Sequence, residues 1–226
     1  MMNKIKKLLV INRGFIIAVV FLFSLRWSFA DHCKIPTGSM IPTIEIGDHV
    51  FVNKLAYDLK VPFTKLSLSR LSEPQRGDVI VFEYPLNTSV NYVKRLIGVP
   101  GDTIEIFNGF VKINNQITLK FKDDLDHYIE NLYTHNNFSY QEKMGNSEYT
   151  VNRIPSKLHP LHQKYLIPKD HYFFMGDNRD NSADGRYFGF VHRDRLLGKV
   201  VTTTYSLTFD QWIPHFKLNR FFKPII

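Results

Sequence analysis

Three short stretches carry residue types that could do chemistry, and the first is built around a serine. In Ile35-Pro36-Thr37-Gly38-Ser39-Met40-Ile41-Pro42-Thr43, two prolines bracket a Thr-Gly-Ser core. Each proline fixes its own φ and biases the residue before it toward extended backbone. Gly38, without a Cβ, permits a sharp turn or the close approach of another backbone. The segment displays one small hydroxyl, Ser39, on a constrained loop. It reads either as a polar turn or as a nucleophile loop, and the second reading needs a base elsewhere in the chain.

The second stretch offers one. In Val90-Asn91-Tyr92-Val93-Lys94-Arg95-Leu96-Ile97, strand alternation puts Tyr92, Lys94 and Leu96 on one face and Val93, Arg95 and Ile97 on the other. If both faces are covered, at least one of the two adjacent cations points inward. Lys94 sits between two apolar neighbours, a setting in which desolvation lowers an amine's pKa. A lysine starts near 10.4, so a neutral base at pH 7–8 needs a drop of roughly 2–3 units, about 3–4 kcal/mol. An arginine cannot serve, because it does not deprotonate. The alternative is an exposed Lys-Arg pair guarding an edge strand.

The third stretch is a dense polar loop between aromatic ends, Phe174-Met175-Gly176-Asp177-Asn178-Arg179-Asp180-Asn181-Ser182-Ala183-Asp184-Gly185-Arg186-Tyr187-Phe188-Gly189-Phe190. Asp180, Ser182 and Asp184 imitate the start of a calcium loop, but Val191 stands where the closing Glu belongs. The loop reads instead as a self-satisfied network, with Asp184 and Arg186 paired. Such a loop holds catalytic side chains in place. The G-x-S-x-G elbow and the H-E-x-x-H zinc signature are both absent. His159 and His162 read as a surface pair, so no metal and no cofactor is expected.

The elements that must position these residues are written in the rest of the chain. Its 226 residues are 44% hydrophobic and 14% aromatic, which is globular composition. The net charge of +8 is spread out and accompanies no nucleic-acid motif, so membrane proximity explains it better than nucleic acid does. A single cysteine, Cys33, excludes an intramolecular disulfide and reads as a spare thiol. Lys4, Lys6, Lys7 and Arg13 precede the uncharged run Gly14–Leu25, which would span about 18 Å as a helix against a hydrocarbon core of about 30 Å. Upstream apolar residues and snorkelling of Arg13 and Arg26 extend it, and Trp27 and Phe29 suit an interfacial belt. A cleavable signal peptide ending at Ser28-Phe29-Ala30 fits the same pattern. Either way the positive charges keep the N-terminus inside, and Asp31 onward is exported.

From residue 46 the chain reads as β-structure. Gly47-Asp48, Gly77-Asp78 and Gly101-Asp102 each open a β-branched or aromatic run, and Pro100-Gly101 suits a type II turn. Asn108-Gly109 and Asn114-Asn115 mark tight turns. Residues 55–75 read as an irregular connection and 120–165 as an insertion with its own strands. Late strands fall at 171–175 and 197–206.

Together these stretches resemble the bacterial type I signal peptidases (leader peptidases). Ile35–Thr43 with Gly47-Asp48 and Val52-Asn53-Lys54 matches the family's nucleophile region. Arg76–Pro85 and Tyr92–Asp102 match its next two motifs, and Gly176–Asp184 with Arg186 its last. The resemblance implies a mostly β fold with two antiparallel β-sheets behind one N-terminal transmembrane helix. It implies a cytoplasmic segment 1–13, an anchor at 14–30, and an extracytoplasmic catalytic domain at 31–226 with a β-rich insertion over about 103–170. It also implies a single-pass protein of the bacterial inner membrane, with signal peptides of exported preproteins and the lipid bilayer as partners. In that reading Ser39 is the nucleophile and Lys94 the neutral general base. The Ser39 N–H and the Thr37 hydroxyl form the oxyanion hole, and Ser182 orients Lys94. Gly176, Asp177, Asp184 and Arg186 support the site. Many relatives have serine at the position of Thr37 and some have serine at that of Gly185. Two other classes share features with the chain: an anchored β-domain that binds envelope partners without activity, and a self-cleaving Ser/Lys repressor. The repressor would need a DNA-binding helix-turn-helix, which this chain lacks.

Overall fold

The structure, a computed structural model, describes residues 12–64, 66–107, 110–120, 129–131, 137–154, 162–210 and 213–225. The basic start at Lys4, Lys6 and Lys7, the Asn108-Gly109 turn and His159 lie outside them. Helix α1 (Arg13–Phe29) has 17 residues, about 25 Å of rise. Among the described residues no helix is long and apolar enough to cross a membrane. Phe15, Ile17, Phe21, Leu22 and Phe23 of α1 are exposed, and the helix runs directly into the first strand.

Strands dominate the chain beyond α1. They are β1 (Ala30–Lys34), β2 (Asp48–Asn53), β3 (Asp58–Lys60), β4 (Ser67–Arg70), β5 (Val79–Glu83) and β6 (Asn91–Gly98). Next come β7 (Thr103–Phe107), β8 (Phe110–Ile113), β9 (Gln116–Ile117), β10 (Phe138–Met144), β11 (Ser147–Arg153) and β12 (His162–Leu166). The last are β13 (His171–Met175), β14 (Val191–His192), β15 (Leu196–Asp210), β16 (Ile213–Phe216) and β17 (Lys223–Pro224), with a one-turn helix α2 (Gly185–Phe188) between β13 and β14. The expected mostly β fold is present, and strand pairing within its sheets is antiparallel. The expected two sheets are instead four: a large sheet ordered β1-β2-β15-β5-β6-β13-β14, a sheet ordered β12-β7-β8-β9, and the ribbons β10-β11 and β3-β4. The extra division arises because residues 55–75, expected to be irregular, form the β3-β4 ribbon, while 138–153 form the β10-β11 ribbon, which among the described residues meets the other strands' neighbours only through the isolated bridges Leu119–Glu142 and Asn152–Asn178.

The three Gly-Asp turns share one design. Gly47, Gly77 and Gly101 adopt φ of 90°, 93° and 87°, which glycine tolerates freely. In each, the following aspartate accepts the N–H three residues back: Asp48 from Glu45, Asp78 from Gln75 and Asp102 from Val99, all at 2.9–3.0 Å. Gly-Asp thus ends one segment and launches a strand in defined register. At the other predicted turn Asn114 and Asn115 both take positive φ, the geometry of a tight hairpin.

Three buried clusters place the chemistry. Ile35, Met40 and Ile44 of the serine segment pack with Val50, Val52, Val79 and Val81. The far side of the large sheet buries Ile80, Phe82, Leu96 and Phe174. A third cluster joins the β7-β8 region to the β10-β11 ribbon. Strand β6 pairs with β5 over Asn91–Arg95, and β13 covers only its Arg95–Gly98 portion. The chain leaves β13 at Met175 and enters the polar loop there, beside Arg95.

Candidate active site

The serine loop is pinned from below by its own apolar residues and from the side by the polar loop. Met40 and Ile44 are fully buried on either side of the Ile41–Pro42 peptide. The Asn178 N–H donates to the Ser39 carbonyl at 3.1 Å, and Asn178 Nδ2 donates to the Gly38 carbonyl at 3.0 Å. Gly176 lies so close that a Cβ there would collide with the Ser39 carbonyl oxygen and with Ser182. Glycine is therefore required at 176 by close approach, which the sequence pattern alone did not show.

Lys94 reaches the serine from strand β6. Its Nζ donates to Ser39 Oγ at 2.6 Å and to the Val93 carbonyl at 3.1 Å, and lies 5.1 Å from the centre of the Tyr92 ring. Lys94 is 5% exposed and Ser39 9% exposed. Burial lowers the Lys94 pKa from 10.5 to about 8; the carboxylates of Asp184 and Asp177 pull the other way without overcoming it. Desolvation wins because both acids are already committed to arginines. An amine of this pKa beside a hydroxyl can exist as a free base near neutral pH and accept its proton.

Those arginines come from separate elements. Arg95 was expected on the face opposite Lys94 and is fully buried there. Its Nε and Nη2 donate to Asp177 at 2.9 and 2.7 Å, and its Nη1 donates to the Gly77 carbonyl at 2.7 Å. Thr43 Oγ1 donates to Asp177 Oδ2 at 2.5 Å. The far end of the serine segment, the strand carrying Lys94 and the polar loop therefore meet at one carboxylate. Asp184 accepts the Gly176 N–H at 3.0 Å and two bonds from Arg186 at 2.8 Å.

The β10-β11 ribbon supplies the rest. Arg179 is held by Glu142 through bonds of 2.7 and 2.5 Å, with Tyr149 donating to the same carboxylate at 2.8 Å. Arg153 binds Asp180 at 2.7 Å, and the Arg95 guanidinium lies 3.7 Å from the centre of the Tyr149 ring. Sequence reasoning assigned no role to Thr43, Arg95, Glu142, Tyr149 or Arg153. A signal was present: in Phe138–Met144 alternation puts Glu142 on the same face as Phe138, Tyr140 and Met144. A carboxylate in an apolar stripe demands a buried cation as partner.

The structure thus brings Ser39, Lys94, Gly176, Asp177, Asp184 and Arg186 into one contiguous cluster. Ser182 behaves differently. Its hydroxyl is buried beside Gly176 but makes no hydrogen bond among the described residues, so the expected bond to Lys94 is not formed. Lys94 instead bonds Ser39 and its neighbour's carbonyl. A groove of about 660 Å³ opens beside the serine, lined among others by Cys33, Ile35, Thr37, Val81, Tyr92 and Val93. Among the described residues no group of three or more His, Cys, Asp or Glu could hold a metal ion.

Comparison with known proteins identifies the family of the whole chain. The profile of the family described as signal peptidase, peptidase S26, matches residues 8–205. Signal peptidase I of Buchnera aphidicola (subspecies Schizaphis graminum) is 31% identical over 88% of this chain and 76% of its own length. That of Pseudomonas aeruginosa is 36% identical over 88% of this chain and 70% of its own, and that of Aquifex aeolicus 34% identical over 85% and 82%. Non-enzymatic scaffolds and self-cleaving repressors explain none of these matches. The chain belongs to the signal peptidase family, serine endopeptidases that cleave signal peptides.

Proposed function

We propose that this protein cleaves preproteins by a Ser39–Lys94 dyad at the outer surface of a bacterial inner membrane, held there by α1. The observation that carries the proposal is the 2.6 Å contact between Lys94 Nζ and Ser39 Oγ within an otherwise buried site. When Lys94 is neutral the hydrogen bond reverses: the Ser39 hydroxyl donates to the amine lone pair. Ser39 Oγ then attacks the scissile carbonyl as Lys94 takes its proton. The Ser39 N–H and the Thr37 hydroxyl receive the developing oxyanion, an interaction whose loss typically costs roughly 10²–10³ in rate. Lys94 returns the proton to the leaving amine, and a water activated by the same amine releases the acyl group. Ser182 is assigned the orienting role once Lys94 turns from Ser39 toward the leaving group, and its unpaired buried hydroxyl supports this reading. Asp177, Asp184 and Arg186 keep Gly176 and the serine loop in register.

The groove fits a substrate bound as an added strand. Among the described residues, 91–94 of β6 lack a strand partner on the side that β13 leaves open, so an extended peptide can hydrogen-bond there. Small residues before the scissile bond would fill the apolar space between Ile35, Val81 and Val93. Anchoring through α1 rests on its exposed apolar side chains and on the basic residues before it. Ser39→Ala and Lys94→Ala variants, assayed on a model preprotein in detergent, test the dyad. Both should lose cleavage while keeping a cooperative unfolding transition, and cleavage retained by either would refute it.

A further inference from the structure

Arg220 takes no part in the site described above, yet it is among the largest side chains that the fold buries, at 2% exposed. A guanidinium leaves water only where its charge and its N–H groups are matched. Its partners among the described residues come from one short stretch, the turn that ends the serine segment. Nη2 donates to Asp48 Oδ2 and, at 3.0 Å, to the Thr43 carbonyl. Nε donates to Asp48 Oδ1 at 3.4 Å, and Nη1 lies 3.5 Å from Glu45 Oε1. Asp48 is fully buried and also accepts the Glu45 N–H, so Arg220 balances the charge that the Gly47-Asp48 turn takes out of water.

A strap of residues 213–225 delivers this side chain. After β16 the chain makes a short helical turn at Leu218–Arg220, in which the Arg220 N–H donates to the Lys217 carbonyl at 3.0 Å. The strap is tied to β15 on both sides of that turn. Lys217 N–H donates to the Ser206 carbonyl at 3.2 Å, Phe222 N–H to the Thr204 carbonyl at 3.4 Å and Ile225 N–H to the Val201 carbonyl at 3.0 Å. Lys217 Nζ adds a 2.6 Å bond to Glu45 Oε2, and Ile225 packs on the cluster of Ile35, Met40 and Ile44. Fixed at both ends, the strap aims Arg220 at one carbonyl of the serine segment. That carbonyl belongs to Thr43, whose hydroxyl already donates to Asp177 and accepts from Arg95 Nη2 at 3.3 Å. The Ile44 N–H donates to the Met40 carbonyl at 2.9 Å, so residues 40–44 close one turn immediately after Ser39. Arg95 and Asp177 hold this turn by the Thr43 side chain, and Arg220 holds it by the Thr43 backbone.

We infer that Arg220 is a positioning residue for the dyad: by donating to the Thr43 carbonyl it fixes the turn after the nucleophile, so the strap governs the rate of the chemical step. The inference rests on the Ser39–Lys94 reading proposed above. A reacting hydroxyl must be held closely, and a misplacement of about 1 Å can cost about 10² in rate. The planar fork of Arg220 serves Asp48 and the Thr43 carbonyl together, which the compact ammonium of a lysine does not reproduce. A lysine at 220 therefore keeps the Asp48 charge balanced while loosening the serine turn.

The test compares the full chain with two variants in detergent, using a preprotein substrate and Ser39→Ala as the control. Arg220→Lys keeps the charge and loses the fork. Arg220→Met/Asp48→Asn removes both buried charges, so no unpaired ion is left behind, and takes the guanidinium away from Thr43. Both variants should lose at least about tenfold in kcat with little change in KM. The pH at which kcat/KM levels off should not move, because the surroundings of Lys94 are unchanged. The charge-free pair should unfold near the parent temperature, which separates positioning from stability. Parent kcat in a folded Arg220→Lys, recovery of kcat in the charge-free pair, or a rise in KM at constant kcat overturns the inference and leaves the dyad standing. Failure of both variants to fold overturns it too, since Arg220 then serves the fold and not the chemical step. Cleavage retained by Ser39→Ala overturns the dyad itself, and the role of Arg220 with it.

Discussion

Replacing Lys94 with methionine removes the one buried cation, among the described residues, that has no carboxylate in direct contact, and its effect on stability depends on pH in a calculable way. Burial lowers the Lys94 pKa from 10.5 to about 8. Because the folded-state value is depressed, the folded protein binds fewer protons than the unfolded chain between these two values, and stability rises with pH across that window. Below pH 8 the lysine is charged in both states, and the folded state carries the full cost of burying it. A shift of about 2.5 units corresponds to about 3 kcal/mol. Integrating the two titrations, about 2 kcal/mol of that cost is relieved between pH 7 and pH 9.5. Methionine has similar length and no charge, so Lys94→Met abolishes this term and leaves other titrations in place. Urea unfolding of both proteins in detergent at pH 7, 8, 9 and 9.5 reads it directly. The variant's stability minus that of the parent should fall by about 2 kcal/mol from pH 7 to pH 9.5, whatever its constant offset from the lost Ser39 bond. A difference that does not change with pH, or one that grows, would refute burial as the cause of the lowered pKa.

Two further substitutions test the support around the dyad. Glu142→Ala leaves the Arg179 guanidinium buried and unpaired, a change that typically costs about 3–5 kcal/mol; thermal unfolding should shift down accordingly, and a wild-type midpoint would show that the ribbon does not hold the loop. Gly176→Ala forces its methyl against Ser182 and the Ser39 carbonyl. The expected loss is at least about tenfold in kcat with a smaller change in KM, because the serine is displaced while most of the groove remains; unchanged kcat would mean the loop yields without moving Ser39.

The parts of this molecule governed by local chemistry were legible in the chain. Each Gly-Asp pair begins a strand because glycine takes the positive φ and the aspartate caps its own turn, so β2, β5 and β7 fall where those pairs put them. Strand β13 falls on His171–Met175 as expected. Alternation placed Lys94 and Arg95 on opposite faces of β6, but could not show that both faces are covered, since that depends on where β13 and the β10-β11 ribbon pack. For the same reason the Arg95–Asp177 and Arg179–Glu142 pairs were hidden. Their partners are 82 and 37 residues apart, and only the tertiary fold joins them. Ser182 shows the opposite limit. The family resemblance implied a bond to Lys94, whereas the structure has the amine committed to Ser39. Residues 55–75 looked irregular because Pro62 and a bulged pairing break the alternation of the β3-β4 ribbon.

The dependence of kcat/KM on pH, measured on a preprotein substrate from pH 6 to 9.5 in detergent, tests the Ser39–Lys94 dyad most directly. If a buried lysine of pKa about 8 is the base, kcat/KM should rise about tenfold per pH unit below that value and level off above it, as only the neutral amine can accept the serine proton. A profile flat from pH 6 to 9.5, or one falling as the pH rises toward 8, would contradict a neutral lysine at the centre of this site.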